Sequence, residues 1–388
     1  MQKTAVVINF EAVIWLYVFF ALPALAYTGL MAWLILGWRR LPVVPGPDDG
    51  LASFSIVVPV RNEAHCIVRL LSCLRLQYFP AARYEVIVVD DHSTDASAAV
   101  VSRFINTHEL PFFRLLETPA GGAEAGRGKK AALARGIAAA RHDYIITCDA
   151  DCVMGPDWLP AMAGAVSHFN PHMLIGPVGI ESPDDLFGSL QALEMLALTA
   201  VTAGAAGQGK AVLCSGANLL FRRDLFHRVG GYQGNEHLAS GDDVFLLHKF
   251  KGLDDSVIHF VRDRRAMVYT PAANSAGSFF RQRARWIAKT TAYRDIASLF
   301  SAAVAGGFNL LLLLATALAL FLPAGWFYYT LLLWLIKGLA DFFLIGGTAR
   351  FFRRKALLYR YPLAWLLYPF YVLIINVFAI LGKGEWKG

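Results

Sequence analysis

The chain has 388 residues, of which 56% are hydrophobic and only 17% are charged. This composition is too apolar for an ordinary soluble protein and predicts a membrane protein. The net charge of +7 comes mostly from basic residues beside the apolar runs, which indicates contact with anionic lipid headgroups and excludes nucleic acid as the expected partner.

The first predicted element is a membrane span. No charged residue occurs between Ala12 and Leu36, and these 25 residues are enough to cross a bilayer. Ala24-Leu25-Ala26 resembles the cleavage site of a signal peptide, but the apolar run continues ten residues further, which favours an uncleaved anchor. With the linker rich in proline and glycine that follows, residues 1–50 form the predicted N-terminal anchor.

Residues 51–277 have a mixed composition and predict one α/β domain. Apolar runs predict buried strands at Phe54–Val60, at Tyr84–Val89 and from Tyr144 to Asp151, with helical patterns between them. This alternation of strands and helices is typical of a mostly parallel sheet with crossover helices. The five cysteines of the chain form no CxxC pair and indicate reduced thiols.

Polar residues follow each of these strands at the point where it ends. They are Arg61-Asn62-Glu63, Asp90-Asp91, and the pair Asp149 and Asp151. Ligands bind at the carboxyl ends of such strands, so the three endings predict one pocket. Side chains two residues apart on a strand point the same way, and two such carboxylates suit Mg²⁺ or Mn²⁺, which can hold a diphosphate. A lone Asp-x-Asp is more often a solvated strand end.

Two further motifs of the domain offer ligand groups. The stretch from Gly121 to Lys130, with Arg127 and Lys129, offers backbone N–H groups and cations to anionic oxygens, although it also fits a solvated basic loop. It contains neither a P-loop pattern nor G-x-G-x-x-G. Ser240-Gly241-Asp242-Asp243 opens an apolar helix, where acids are also ordinary capping residues.

The C-terminal part predicts an interfacial helix and three spans. In residues 278–295, the run Phe279–Trp286 fits an amphipathic helix with its aromatic residues toward lipid and its arginines toward headgroups. Residues 296–388 contain an uncharged run to Ile336, broken by Pro323-Ala324-Gly325 into two spans, and a further uncharged run from Tyr361 to Gly382.

Basic residues near the span ends predict the orientation. Arg39 and Arg40 follow the first span, and five basic residues without an acid stand between the last two spans, namely Arg350, Arg353, Arg354, Lys355 and Arg360. Both segments and the α/β domain are therefore expected in the cytoplasm, in a multi-pass protein of the inner membrane. By parity, the tail after Gly382 would lie outside.

Four motifs, taken together and in this order, resemble those of membrane-anchored family 2 glycosyltransferases with a GT-A fold, a group that includes the synthases of chitin, cellulose and hyaluronan. They are Val-Pro-Val-Arg-Asn-Glu leading to Asp-Asp-His-Ser-Thr-Asp, the Asp-x-Asp motif at Asp149, Ser240-Gly241-Asp242-Asp243, and Gln282-Arg283-Ala284-Arg285-Trp286, which matches Gln-x-x-Arg-Trp. The resemblance spans residues 54–286 and implies a GT-A domain with transmembrane helices, one before it and three after.

The resemblance also implies the roles of individual residues. Asp151 with Asp149 would bind Mg²⁺ or Mn²⁺, and Asp243 would be the general base. Because Ser-Gly-Asp-Asp replaces the family's Thr-Glu-Asp, the choice between Asp242 and Asp243 stays open. Trp286 would lie by the acceptor sugar. The residues implied to bind the nucleotide sugar are Pro59, Glu63, Asp91, Lys129, Asp149, Gln282, Arg285 and Trp286.

The favoured hypothesis is an inverting transferase that moves a sugar from a UDP-sugar to a lipid or lipid-linked acceptor at the cytosolic face of the membrane. The alternative is a processive polysaccharide synthase, for which three spans after the domain are few. A remote alternative is a catalytically silent membrane scaffold that binds nucleotide sugar. A transporter is disfavoured, because the only charges within the spans are Lys337 and Asp341, which are expected to pair near the cytosolic end. The sequence identifies neither the sugar nor the acceptor.

Overall fold

The computed structural model describes residues 10–44, 52–117, 128–181, 185–234 and 241–380. The linker after residue 44, the glycine-rich stretch up to Arg127, Ser240 and the tail after Ile380 lie outside the described residues. The helices are α1 (Phe10–Arg40), α2 (Ile67–Arg75), α3 (Ser97–Thr107), α4 (Lys129–Ala138), α5 (Trp158–Phe169), α6 (Leu186–Gly207), α7 (Arg223–Arg228), α8 (Asp242–Lys251), α9 (Ala276–Ala288), α10 (Ile296–Leu318), α11 (Ala324–Phe351) and α12 (Tyr361–Ile380). The strands are β1 (Phe54–Val60), β2 (Tyr84–Asp90), β3 (Phe113–Glu117), β4 (Tyr144–Thr147), β5 (Val153–Met154), β6 (Met173–Ile175), β7 (Val178–Glu181), β8 (Leu219–Arg222), β9 (Ile258–Phe260) and β10 (Val268–Pro271).

The prediction of a mostly parallel sheet is confirmed. Seven strands pair in the order β3-β2-β1-β4-β8-β6-β9, and β8 is the strand that runs antiparallel to both of its neighbours. β1 and β2 are almost entirely buried because helices cover both faces of the sheet, which explains their continuous runs of valine and isoleucine. The parallel pairing brings the carboxyl ends of β1, β2 and β4 to the same edge.

The Asp-x-Asp motif does not lie on a strand, and this part of the prediction is wrong. β4 ends at Thr147, and the N–H of Cys152 donates to the carbonyl oxygen of Asp149 at 3.1 Å, which closes a turn. The chain turns here because it leaves the large sheet to form β5, which pairs with β10 in a second, three-stranded sheet. The turn, rather than the pleat of a strand, therefore holds Asp149 and Asp151.

Five of the described helices are long and apolar enough to cross a membrane, judged by length and composition. Four of them, α1, α10, α11 and the α12 region, match the predicted spans. The fifth is α6, which lies within the residues predicted to form the mixed α/β domain and carries one charged residue, Glu194. α6 packs closely on α1, where a Cβ atom on Gly37 would lie only 1.9 Å from the carbonyl oxygen of Gly204.

Lys337 and Asp341 pair as predicted, with 2.6 Å between Nζ and Oδ2. The pair does not lie near a helix end, because Lys337 stands in the middle of α11. There the Lys337 side chain is fully buried and the Tyr27 hydroxyl of α1 donates to Asp341. The pair is thus a buried link between α1 and α11.

Candidate active site

The loops after β1 and β2 are tied to each other where the strands end. Asn62 and His92 have φ angles of 58° and 56°, a left-handed conformation that non-glycine residues seldom adopt and that clusters at functional sites. The Asn62 Oδ1 atom accepts a hydrogen bond from the N–H of Thr94 at 2.7 Å. These contacts set the positions of Glu63 and Asp91, the two predicted binding residues beside them.

Asp91 directly follows β2 at the edge of the sheet and is only 3% exposed. Its Oδ1 atom accepts a hydrogen bond from the N–H of Gly128 at 3.1 Å, and the Arg61 guanidinium lies 3.9 Å from its Oδ2 atom. Gly128 directly precedes α4, so this bond attaches the start of that helix to the end of β2. The Oδ1 atom of Asp91 also lies 3.2 Å from Nδ1 of His92.

Lys129, the first residue of α4, faces the Asp-x-Asp turn. Its Nζ atom lies 2.5 Å from Oδ1 of Asp149. Burial by itself would lower the pKa of Lys129, but the carboxylates of Asp149 and Asp242 raise it well above its usual value. Lys129 is therefore a firmly held cation between the two acidic motifs.

Asp151 is the acid of this turn that suits a metal ion. Burial raises its pKa to about 6, and the neighbouring charges of Asp149 and Glu63 add to this. In the part of the chain that the structure describes, Asp151 makes no ion pair. A half-buried carboxylate without a cation fits a divalent metal, and Mg²⁺ is commonly held by one or two carboxylates together with substrate phosphates. The residues present thus fit the expected Mg²⁺ or Mn²⁺.

One cluster of three possible ligands occurs among the described residues, and it adjoins this turn. The ligand atoms of Glu63, His65 and Cys66 lie within 4.8 Å of one another. Burial and the hydrogen bond to Glu63 raise the pKa of the Cys66 thiol to about 12, so the thiol stays protonated and is a poor ligand. Glu63 is consequently the member of this cluster that can add charge beside Asp151.

We expect Mn²⁺ affinity to depend on pH through Asp151. The metal binds the ionised carboxylate, so below pH 6 a proton has to leave and the apparent affinity should fall by up to about tenfold per pH unit. Above that pH, this contribution is constant. Titration of the purified protein with Mn²⁺ alone, followed by electron paramagnetic resonance, measures the effect. Asp151→Asn is the control and should show weaker binding without this pH dependence; equal profiles would contradict the prediction.

Asp242 and Asp243 open α8 and have different surroundings. Asp243 accepts hydrogen bonds from the N–H groups of Gly216 at 3.1 Å and Val244 at 2.8 Å, and Lys289 Nζ lies 3.6 Å from its Oδ1 atom. Burial would raise the pKa of Asp243, but Lys289, Lys129 and these N–H groups lower it. Asp243 is therefore ionised and fixed in orientation.

Asp242 lies near Lys129 and Asp149 instead. It is 7% exposed. Burial raises its pKa, the Lys129 cation opposes this, and the charges of Asp243 and Asp149 raise it further. The two acids thus have different neighbours. Asp242 lies toward the Asp-x-Asp turn, and Asp243 lies toward the segment that follows α9.

Helix α9 carries the Gln-x-x-Arg-Trp motif, and its placement corrects the predicted amphipathic arrangement. Arg283 points inward and is 3% exposed, and Phe279 packs against Tyr371 of α12. The arginines therefore do not all face headgroups, because Arg283 has a buried carboxylate partner, Glu194. Burial, with a smaller contribution from Arg281, lowers the pKa of Arg285, which has no ion-pair partner in the described residues.

All of the predicted site residues line a single cavity of about 1340 Å³. They are Pro59, Glu63, Asp91, Lys129, Asp149, Asp151, Asp242, Asp243, Gln282, Arg285 and Trp286. Ordinary ligand sites have roughly 300–1,000 Å³, so this cavity has room for more than one small ligand. It continues from the strand ends past α9 and between α10 and α12, where Gly306, Asn309 and Asn376 line it.

Several polar residues that line this cavity were not predicted from the sequence, among them Lys289, Glu194 and Asn309. Lys289 follows the Gln-x-x-Arg-Trp motif by only three residues, and this short spacing is the sequence signal that points to it. Glu194 was a charge within an apolar run, which is itself a mark of function in membrane helices. Asn309 is 1% exposed in α10, and its Oδ1 atom has no hydrogen-bond partner among the described residues.

Two family models match the chain. The model described as glycosyl transferase family 2 matches residues 55–230, and the model described as glycosyl transferase family group 2 matches residues 144–381. The second match covers more than half of the chain and includes α9 and the helices that follow it.

Curated relatives are similar over part of their length. A poly-beta-1,6-N-acetyl-D-glucosamine synthase of Staphylococcus epidermidis is 24% identical over 254 residues, which is 64% of this chain and 57% of the synthase. The poly(ribitol-phosphate) beta-N-acetylglucosaminyltransferase TarS of Staphylococcus aureus is 30% identical over 141 residues, 35% of this chain and 23% of TarS. The chain thus matches little more than half of the first relative and a quarter of the second.

A solved structure has the same overall fold. It is the mannosyltransferase PcManGT of Pyrobaculum calidifontis in complex with GDP-Man and Mn²⁺, with a TM-score of 0.55 and 19% identity. The alignment covers 95% of this chain and 98% of that protein. At this identity the likeness shows a shared GT-A fold.

Proposed function

Because the chain belongs to glycosyltransferase family 2, we propose that it transfers a sugar, with inversion, from a UDP-sugar to a lipid or lipid-linked acceptor at the cytosolic face of a membrane. The protein is a glycosyltransferase with a GT-A fold, and five apolar helices indicate membrane association. The donor nucleotide, the class of acceptor and the orientation of the protein in the membrane are the proposed parts of this function. Basic residues at the end of α1 and between α11 and α12 support the cytosolic placement of the catalytic domain.

One observation carries the choice of acceptor. The cavity joins the predicted nucleotide-sugar residues at the strand ends to the apolar helices α10 and α12 without a dividing wall. An acceptor that resides in the membrane can reach the donor sugar through this space, whereas a soluble acceptor would not need it. The indole of Trp286 lines the same cavity between these two ends.

The donor is bound by residues of the first three strands and of α9. Glu63 and Asp91 bind the uridine, and Gln282 and Arg285 bind the diphosphate. Arg285 is suited to this role because it is half-buried and has no carboxylate partner in the described part of the chain. A Mg²⁺ or Mn²⁺ held by Asp151 and Asp149 would supply charge stabilisation to the leaving diphosphate.

Asp243 is the general base of the proposed reaction. Its ionised carboxylate takes the proton of the acceptor hydroxyl while the new bond forms from that oxygen to the anomeric carbon, on the face opposite to the departing UDP. The bond between the anomeric carbon and the diphosphate oxygen breaks, and UDP leaves with the electron pair. Position favours Asp243 over Asp242 as the proposed base, because Asp243 lies beside Lys289, which directly follows α9, toward the proposed acceptor end of the cavity.

UDP release by purified protein in native-lipid nanodiscs, with Mg²⁺ or Mn²⁺ and a panel of UDP-sugars, tests the proposal. We expect metal-dependent turnover of one donor and a small, lipid-soluble product. Absence of turnover with every UDP-sugar would contradict the proposed donor and would favour another nucleotide or the catalytically silent scaffold.

A processive polysaccharide synthase is the second candidate. It is favoured by the similarity to the poly-beta-1,6-N-acetyl-D-glucosamine synthase and by the Gln-Arg-Ala-Arg-Trp motif. Separation of the products by size in the same assay distinguishes the two candidates. A ladder of saccharides would establish the synthase and contradict the single transfer.

Gly306 provides a test of where the acceptor binds. Gly306 lines the cavity, and a Cβ atom added there meets nothing within 4 Å, so Gly306→Leu should fill the cavity without a clash at Cβ. We expect transfer to lipid to fall at least about tenfold while UDP affinity stays unchanged, because only the acceptor end is narrowed. Incorporation of labelled sugar into lipid and UDP binding by calorimetry measure the two effects.

Gly307→Leu is the matched control. It adds the same side chain one residue further along α10, where a Cβ also meets nothing within 4 Å, but Gly307 does not line the cavity. This variant should retain normal transfer. Equal losses in both variants would show that α10 merely tolerates leucine poorly, and normal transfer in Gly306→Leu would place the acceptor elsewhere.

A further inference from the structure

Arg283 is the most connected side chain of the Gln-x-x-Arg-Trp segment, although it occupies one of the unspecified positions. Its Nε and Nη2 atoms donate to the Glu194 carboxylate of α6 at 2.7–3.1 Å. Its Nη1 atom donates to Oε1 of Gln282 at 2.6 Å. The same guanidinium lies over the ring of Trp286, 4.2 Å from its centroid.

The hydrogen bond from Arg283 determines which end of the Gln282 side-chain amide is left to face a ligand. A guanidinium has donors only, so Oε1, rather than Nε2, must be the atom turned toward Arg283. The Nε2 group is then the end left for a ligand, and no partner of it occurs among the described residues. An N–H₂ group presented to the cavity donates to anionic oxygens, whereas a flipped amide would present an oxygen and repel them.

Glu194 balances the charge of Arg283, so Arg283 does not add an unpaired cation to the site. Its carboxylate neutralises Arg283 in a pair whose side chains are 3% and 12% exposed. The Tyr371 hydroxyl of α12 donates to the same carboxylate, so the pair joins three helices. Arg283 therefore differs from Arg285, whose charge is not matched by a carboxylate in the described part of the chain.

We propose that Arg283 is a positioning residue, held by Glu194 and Tyr371, that orients the Gln282 amide toward the diphosphate. The inference rests on the proposed function, since it assumes that a nucleoside diphosphate occupies this cavity. Arg283 acts through its neighbours and does not itself contact the donor.

A double-mutant cycle between Arg283 and Gln282 tests this role. Arg283→Met should lower kcat/KM for the donor about 10²-fold, the size expected when a binding group is misplaced. In a Gln282→Ala background the same substitution should cost less than about threefold, because the group that Arg283 orients is already absent. An equal loss in both backgrounds would overturn the proposal. Arg281→Met, which removes an exposed guanidinium from the same helix, is the control and should behave as wild type.

A charge-neutral variant separates positioning from stability. Arg283→Met alone leaves the Glu194 carboxylate buried without a cation and could unfold this region. Glu194→Gln combined with Arg283→Met removes both charges and should restore the thermal unfolding temperature. We expect kcat/KM for the donor to remain low in this double variant, because the Gln282 amide still lacks the hydrogen bond from Arg283 that orients it. Recovery of activity together with stability would show that the pair is merely structural.

Binding of UDP and GDP distinguishes failure of this inference from failure of the proposed function. If the wild-type protein binds a nucleoside diphosphate but turns over no UDP-sugar, only the proposal of a UDP-sugar donor is contradicted. The double-mutant cycle is then measured with diphosphate affinities in place of kcat/KM. Arg283→Met should then weaken diphosphate binding in the wild-type background but not in the Gln282→Ala background. If the wild-type protein binds neither diphosphate, both proposals are overturned.

Discussion

Asp243→Asn is expected to lower sugar transfer about 10²–10⁴-fold, the usual contribution of a positioned general base. Asparagine has the same shape but keeps only one acceptor oxygen, so it can accept from one of the N–H groups of Gly216 and Val244 and not from both, and it cannot take a proton from the acceptor hydroxyl. UDP affinity should change little, because the base is not expected to contact the nucleotide. Single-turnover rates with the active donor, together with UDP calorimetry, measure both effects.

Asp242→Asn is the decisive comparison. Asp242 is adjacent in sequence but faces Lys129 and Asp149, so its removal should act mainly on donor binding. We expect a rise in KM for the donor with a smaller loss of kcat. If Asp242→Asn abolished transfer while Asp243→Asn retained it, the assignment of the base would be reversed.

Asp151→Asn is expected to remove metal-dependent turnover, with a loss of at least about 10³-fold, because a bound cation supplies several kcal/mol of charge stabilisation to a leaving diphosphate. The reason lies in the site, since Asp151 is the half-buried acid of the turn without an ion pair among the described residues, whereas Asp149 is paired with Lys129 at 2.5 Å. UDP release at saturating Mn²⁺ measures the loss, and the Mn²⁺ concentration that gives half-maximal rate measures the affinity.

Asp254→Asn removes an exposed carboxylate outside the cavity and should leave turnover unchanged. If the protein were a catalytically silent scaffold, neither Asp151→Asn nor Asp254→Asn would show turnover. Full activity of Asp151→Asn with unchanged metal dependence would contradict the assignment of this residue as a ligand.

Local patterns in the sequence were enough to predict the α/β domain and the edge at which its site lies. The apolar runs of β1 and β2 have the expected bounds within one residue, and the polar residues that follow them converge as predicted. This works because a strand buried on both faces needs a continuous apolar run, and a parallel sheet brings strand ends together. The resemblance carried by the four motifs added residues of α8 and α9 that lie far apart in the chain.

Local patterns failed where a side chain or helix is determined by a distant partner. Arg283 was assigned to headgroups, but its carboxylate partner is 89 residues earlier in the chain. Helix α6 was assigned to the soluble domain, but it packs on α1 through glycines whose close approach the sequence alone does not reveal. The turn at Asp149 was assigned to a strand, because the pairing of β5 with β10 that bends the chain away is a long-range contact.

The sequence by itself determined the α/β domain and four of the apolar helices, because composition and short-range periodicity encode burial, and the resemblance carried by its four motifs gave the class of the protein. Only the tertiary structure decided how those groups are charged and oriented. Asp243 is ionised because Lys289 and two N–H groups face it, and the Gln282 amide has one orientation because Arg283 can only donate. Such properties depend on distances of 2.6–3.6 Å between side chains and N–H groups, and these distances exist only once the chain has folded.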